Sequence, residues 1–106
     1  MAHSRIVSTS GRYSLIFNCG DLPADEAVIE SGHEPNGYFW EGIATLVAPD
    51  LVDGLAMDCE ADLFSASGRR DDIESLRQLL EPVLSDAKRV RALIAQAEAE
   101  GFEFDD

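Results

Sequence analysis

Apolar residues recur at every second position in Tyr13, Leu15 and Phe17, which is the two-residue period of a strand over residues 13–18 with one aromatic-rich face. Two shorter runs, Leu55–Asp58 and Leu63–Ser67, also predict strands, and the four residues between them predict a hairpin loop. Residues 24–31 fit a short helical turn or a strand, and we favour a strand over Ala27–Ser31. Residues 1–12 predict either an edge strand or a frayed end.

A helix over roughly Tyr38–Val47 is predicted to follow a chain reversal at Pro35-Asn36-Gly37. Asn36 is the predicted N-cap, because its side-chain oxygen can accept from free N–H groups of the first turn. The apolar side of this helix comprises residues at three- and four-residue steps: Trp40, Ile43, Ala44, Val47 and Leu51. We expect Trp40 in the core. Since adjacent residues on a helix point about 100° apart, either Tyr38 or Phe39 should reach the surface.

Two further helices are predicted after a turn at residues 50–54. The first begins near Asp71 and bends or ends near Pro82. Its apolar stripe comprises Ile73, Leu76, Leu79, Leu80 and Val83. Ser85 is the predicted cap of the second helix, Asp86–Glu100, whose inner face comprises Val90, Leu93, Ile94 and Ala97. Gly101 is predicted to end it.

These elements predict a single α+β domain over residues 1–106, in which helices cover one face of an antiparallel sheet of about four strands. Residues 102–106 form an acidic tail with two aromatics expected to be exposed. No apolar run approaches the roughly 20 residues that cross a bilayer, and the first residues lack an apolar signal core. We therefore expect a cytoplasmic protein without a membrane partner.

The chain carries 21 acidic and 8 basic residues, a formal net charge of −13. Residues 13–68 contain no Lys or Arg, whereas acidic and basic residues nearly balance over residues 69–91. An acidic surface of this kind either keeps a protein soluble or meets a basic partner, whose approach it accelerates. Nucleic acid is a disfavoured partner, because binding phosphates requires a basic face.

The sequence predicts no catalytic, cofactor or metal site. His33 is the one candidate general base, but a histidine in a turn is more often a surface or capping residue. Cys19 and Cys59 lack the close C-x-x-C spacing of a zinc site and are expected to be reduced and partly buried. The carboxylates of Asp58, Glu60 and Asp62 crowd one turn, which lacks the twelve-residue ligand ladder of a calcium loop.

Two segments resemble a known family. Asn36-Gly37-Tyr38-Phe39-Trp40-Glu41 is similar to the Asn-Gly-Tyr-Asp-Trp-Glu signature of the immunity protein 51 family, small bacterial proteins encoded beside polymorphic toxins. Met57–Ala66 is similar to that family's Asp-Pro-Glu turn followed by Met-Phe-Ser-Ala. Phe39 stands where the family usually has Asp, and Cys59 where it usually has Pro. The resemblance extends from Tyr13 to about Glu98.

The resemblance implies an immunity protein that binds a cognate toxin and blocks its functional surface without catalysis. The expected partner is a toxin protein with a basic surface. Most interface energy resides in a few anchoring residues, and the candidates here belong to or adjoin the two motif segments. They are Glu34, Tyr38, Phe39, Glu41, Asp58, Glu60 and Asp62. An alternative function is a small ligand-binding or regulatory domain with a pocket near Trp40.

Overall fold

A computed structural model describes residues 3–104, so the predictions for residues 1–2 and 105–106 lie outside the described chain. The elements are β1 Arg5–Thr9, β2 Arg12–Asn18, α1 Asp25–Glu30, α2 Gly37–Val47, α3 Pro49–Asp53, β3 Ala56–Met57, β4 Leu63–Gly68, α4 Arg70–Leu84 and α5 Ala87–Ala99. The α+β class predicted from the sequence is confirmed. Of the two alternatives for the N-terminal segment, the edge strand is the one observed.

The four strands form one antiparallel sheet in the order β1-β2-β4-β3. Alternation along β2 and β4 turns one set of side chains toward the helices, where Leu15 lies opposite Ala66 and Phe17 opposite Phe64. These four side chains are completely buried. Ser14 and Ser67 pair on the other face, with their hydroxyl oxygens 2.6 Å apart. The side chains toward the helices are thus apolar while this pair is polar, as is common in an antiparallel sheet with one face packed on the core.

An aromatic cluster joins α2 to the sheet. Trp40 is fully buried, as predicted, and its ring stands nearly perpendicular to those of Phe17 and Phe39, at centroid distances of 6.0 and 5.3 Å. Phe17 in turn stacks on Phe64 at 4.6 Å. Edge-to-face packing of this kind adds about 0.5–1.5 kcal/mol per pair beyond the area buried. The cluster therefore fixes the rotation of α2 about its own axis.

The strand predicted over Ala27–Ser31 is wrong, because residues 25–30 form helix α1. Burial follows a helical period, since Ala24, Ala27 and Val28 are completely buried while Ile29 is 61% exposed. The first turn is held by Asp25, whose carboxylate accepts from the backbone N–H of Leu22 at 3.1 Å. Ala27 and Val28 lie on the buried side of α1, and α1 packs against α5.

Three details of the predicted helices also differ. The turn predicted at residues 50–54 is mostly helix α3, which has Pro49 in its first turn, where proline's missing N–H costs nothing. The apolar stripe of α4 differs at one position, because Leu79 is 45% exposed and Leu84, which the predicted stripe lacked, is completely buried. The N-cap of α5 is Asp86 rather than Ser85, and its carboxylate accepts from Lys88 N at 3.0 Å.

The tail aromatics, predicted to be exposed, pack against the domain. Phe104 stacks on Phe39 at 4.8 Å and meets Phe102 edge-on at 5.1 Å. A Cβ atom on Gly42 would lie 2.6 Å from the Phe104 ring, so this glycine makes room for the aromatic side chain. The chain reverses toward α2 at Gly101, which has a φ of +77° and ends α5 as predicted.

Glu81 of α4 holds the N-terminal segment against the helices through hydrogen bonds. Its carboxylate accepts from the backbone N–H groups of His3 and Ser4, at 3.0 and 2.8 Å, and from the Ser4 hydroxyl. Arg77 donates to the Ser4 carbonyl at 2.9 Å and so closes the arrangement. Burial alone would raise the pKa of Glu81, but these donors and the Arg77 charge outweigh it and lower the pKa.

Replacing Glu81 with Gln should destabilise the fold by about 2 kcal/mol at neutral pH, because charge-assisted hydrogen bonds are lost. A carboxylate with a lowered folded-state pKa contributes its stability above the unfolded value of about 4.5 and loses it as pH falls through the folded value. The difference between wild type and E81Q should therefore be full above about pH 5 and shrink in acid. Urea unfolding at several pH values measures it.

Glu74→Gln is the matched control, since Glu74 lies on the same helix in an exposed ion pair with Arg70. Its unfolding midpoint should stay close to that of wild type at every pH. Equal effects of the two substitutions would contradict a fastening role for Glu81.

Candidate functional site

The two motif segments meet where α2 begins. The backbone N–H of Gly37 donates to the carbonyl of Glu60 at 3.1 Å. A Cβ atom on Gly37 would lie 2.1 Å from that carbonyl oxygen and 2.2 Å from the carbonyl oxygen of Leu63. Only a residue without a side chain permits this approach of helix and hairpin. Gly37 and Glu60, which are 23 positions apart in sequence, thus bring the two motif segments into one continuous surface.

Asn36 directs the helix into this contact. Its side-chain oxygen accepts from Phe39 N at 2.9 Å, which confirms the predicted cap. The following N–H, that of Gly37, is left to point at the hairpin instead of at solvent. The cap and the docking contact therefore use different donors of the same first turn, and both hold the helix start in place.

Gly37 faces the tight turn that connects β3 and β4. Glu60 and Leu63 exchange backbone hydrogen bonds, of 2.8 Å from Glu60 N and 3.3 Å from Leu63 N. On the other side, Cys19 N donates to the carbonyl of Asp62 at 2.9 Å. The hairpin predicted from the sequence is confirmed, and its tip is fixed by backbone contacts to both β2 and α2.

The two adjacent aromatics of the first motif lie in different environments. Tyr38 is 41% exposed, whereas Phe39 is completely buried between Trp40 and Phe104. The expectation that one of them reaches the surface is confirmed. Phe39 itself was a predicted contact residue, and its burial corrects that assignment: a side chain with no exposed area cannot anchor a partner. Its role is to pack the helix and the tail together.

The predicted acidic contact residues gather around the helix–hairpin contact. Glu34, Asp58, Glu60 and Asp62 are exposed, and Glu41 is half-buried. Within residues 3–104, Asp58, Glu60 and Asp62 form no ion pair. We call the exposed Tyr38 and these five carboxylate residues the acidic face. Mutual repulsion on so short a turn is unfavourable, and it would be relieved by a positively charged partner.

Glu41 makes the second connection between the motifs, because its carboxylate lies next to the Cys59 thiol. Burial is the largest cause that raises the pKa of Cys59, to about 11, and the Glu41 charge adds to it. Burial likewise raises the pKa of Cys19, to about 12, with further contributions from Cys59, Asp25 and Asp62. Both thiols are thus protonated at neutral pH and unsuited to nucleophilic chemistry.

His33 packs against aromatic rings. Its ring lies 4.9 Å from that of Phe104, edge-on, and 5.7 Å from that of Phe39. The backbone N–H of His33 donates to the carbonyl of Val28 at 3.1 Å, which closes the end of α1. His33 therefore lies where α1, α2 and the tail pack together.

The described chain offers few other sites. No group of three or more His, Cys, Asp or Glu side chains within residues 3–104 is arranged to hold a metal ion. No helix there has both the length and the apolar character needed to cross a bilayer. A cavity of about 330 Å³ lies between α4 and α5, and Trp40 is not among its lining residues. The Trp40 side chain itself is completely enclosed.

Two residues that organise the acidic face were not among the predicted site residues. Gly37 was recognised as a turn residue, but its packing against a carbonyl group depends on a segment far away in sequence. Cys59 was assigned only to packing, and its contact with Glu41 follows from the helix docking. The sequence did carry a signal for Gly37, since glycine is a poor helix former and here directly follows the N-cap asparagine.

No protein-family model, curated protein or solved structure matches the chain.

Gly37→Ala should destabilise the protein by about 3 kcal/mol or more, because the added methyl group meets two backbone carbonyl oxygens that have little freedom to move. Gly54→Ala is the matched control, since the nearest atom to its added Cβ lies at an ordinary 3.8 Å. Chemical denaturation of both variants measures the difference. A G37A protein as stable as G54A would show that the helix does not dock on the hairpin as described.

Native protein at pH 7 should react slowly with iodoacetamide. A thiol with a pKa of about 11 is ionised to about one part in ten thousand at this pH, and only the thiolate attacks. The same protein in denaturant should be alkylated at the rate of an ordinary cysteine. Mass spectrometry of timed samples measures both rates, and comparable rates in the two states would contradict the protected environment of Cys19 and Cys59.

Proposed function

We propose that this protein is an immunity protein that neutralises a cognate bacterial toxin by covering a basic functional surface with its acidic face. The observation that carries the proposal is the contact between Gly37 and Glu60, which merges the two motif segments into one surface. The resemblance to the immunity protein 51 family supplies the class of partner.

Electrostatics supports a basic partner. The carboxylates of Asp58, Glu60 and Asp62 are exposed on a turn and belong to a stretch, residues 13–68, without any Lys or Arg. A concentrated field of one sign accelerates the encounter with an oppositely charged surface and rejects acidic proteins. The same field repels phosphate groups, so the proposed partner is a protein and not a nucleic acid.

The acidic face also has the rigidity that inhibition by occlusion requires. Its hairpin tip is held by backbone hydrogen bonds to Cys19 and Gly37, and its helix rests on the buried Trp40. Little conformational entropy is then lost when a partner binds, which leaves more of the contact energy as affinity. Tyr38, exposed beside the carboxylates, is the proposed aromatic anchor at the centre.

The proposal assigns no reaction to this chain and places it in the cytoplasm with its toxin. The toxin's identity follows from the neighbouring open reading frame, whose product should co-purify with this protein. Complex formation should weaken as salt is added, because exposed charges are screened.

Reversing three charges on the acidic face should abolish protection and leave the fold intact. The variant carries Asp58→Lys, Glu60→Lys and Asp62→Lys, all at exposed positions. A matched control carries Glu98→Lys, Glu100→Lys and Glu103→Lys, which alter the net charge by the same amount at exposed positions near the end of the chain. Co-expression with the toxin measures survival, and circular dichroism checks folding.

The control should protect as well as wild type. If the first variant also protects, contact through the acidic face is excluded. If both variants fail while remaining folded, net charge rather than this surface determines binding, and the assigned site is wrong.

A further inference from the structure

An apolar groove runs between the last two helices, on a part of the surface separate from the acidic face. It has a volume of about 330 Å³. Its walls come from α4, α5 and the end of α2, and its lining comprises Val47, Leu79, Val83, Arg89, Ala92, Leu93 and Gln96. Cavities of this size lie at the lower end of the range that holds small organic ligands.

One large apolar side chain at the groove lies outside the core. Leu79 is 45% exposed although it belongs to a helix with a well-buried opposite face. Val83, only 3% exposed, forms the floor, and the small side chain of Ala92 leaves the groove open from the α5 side. A large exposed leucine beside a buried valine is an apolar surface that favours an apolar occupant.

Charge distinguishes the two ends of the groove. Arg89 and Gln96 lie seven residues apart on the same side of α5, a distance of about 10 Å along the helix axis. Gln96 donates to the carboxylate of Glu100 at 3.3 Å, so that end is next to a negative charge. The other end carries the Arg89 guanidinium, which forms no hydrogen bond or ion pair within residues 3–104.

Helix stability does not explain the position of Arg89. It lies in the first turn of α5, where the helix dipole favours acidic residues, and its neighbour Lys88 adds a second positive charge. Arg91, by contrast, is paired with Glu30 of α1. In a protein of net charge −13, an unpaired guanidinium at the end of an apolar groove complements one kind of ligand, an apolar body that ends in an anion.

We propose that this groove binds a small amphiphilic carboxylate. The ligand's apolar chain would lie along Leu79, Val83 and Leu93, and its carboxylate would accept hydrogen bonds from Arg89. A chain of about eight carbons spans the groove from Arg89 toward Gln96. This binding site is independent of the proposed toxin-binding role, because it shares no residue with the acidic face.

Octanoate, below the concentration at which it forms micelles, is the probe. Titration followed by amide chemical shifts should give saturable changes confined to residues around the groove. Octanamide has the same shape without the charge and should bind about threefold to fivefold more weakly, as should octanoate to the Arg89→Gln variant. Acetate, which lacks the apolar chain, should not bind. Lys88→Gln is the matched control and should bind octanoate as wild type does.

A second pair of variants tests the groove itself. Ala92→Leu fills it from the helix surface and should abolish binding without loss of stability, because leucine is a good helix former. Ala95→Leu is the same change at an exposed α5 position that does not line the groove, and it should leave binding unchanged. Unsaturable or scattered shift changes, equal binding of octanoate and octanamide, or full binding by A92L would each overturn the proposal.

Discussion

The architecture depends on one close backbone contact, the approach of Gly37 to the carbonyl oxygens of Glu60 and Leu63. Because no side chain fits between them, α2 starts directly on the tip of the β3–β4 hairpin, and its first N–H completes the hairpin's hydrogen bonding. The position of the helix then determines where Trp40 enters the core and where Tyr38 leaves it. Fold and candidate site therefore share a single constraint.

This contact produces a surface of fixed shape whose charged residues are all acidic. The hairpin carries exposed carboxylates that find no cation within the described chain, while the helix beside them offers one exposed aromatic ring. The tail also packs on α2, where Phe104 fits against Gly42. Gly37 thus allows the hairpin backbone to approach α2 closely, and Gly42 allows the aromatic ring of Phe104 to do so. In the proposed function, the rigidity that results is what a blocking protein needs.

Local patterns predicted most of the fold. The strands of the sheet core, the Asn36 cap and the burial of Trp40 all follow from short-range periodicity and turn chemistry, which the sequence carries directly. Two of the errors have the same physical cause, since they concern segments whose structure is decided by distant partners. Residues 25–30 form a helix that packs against α5, and the tail aromatics are covered because Gly42 leaves room. Likewise, the sequence predicted which residues carry charge around Tyr38 but not that Phe39 is enclosed or that Gly37 joins the two motifs.

Hydrogen–deuterium exchange of this protein, alone and bound to the product of the neighbouring open reading frame, shows whether the acidic face is the surface that binds the partner. It compares protection of each backbone segment in the two states. Binding through the acidic face predicts new protection at residues 34–41 and 58–62 together, because the helix start and the hairpin tip form one surface. Protection confined to β1 or to the groove between α4 and α5, with both motif segments unchanged, would contradict it.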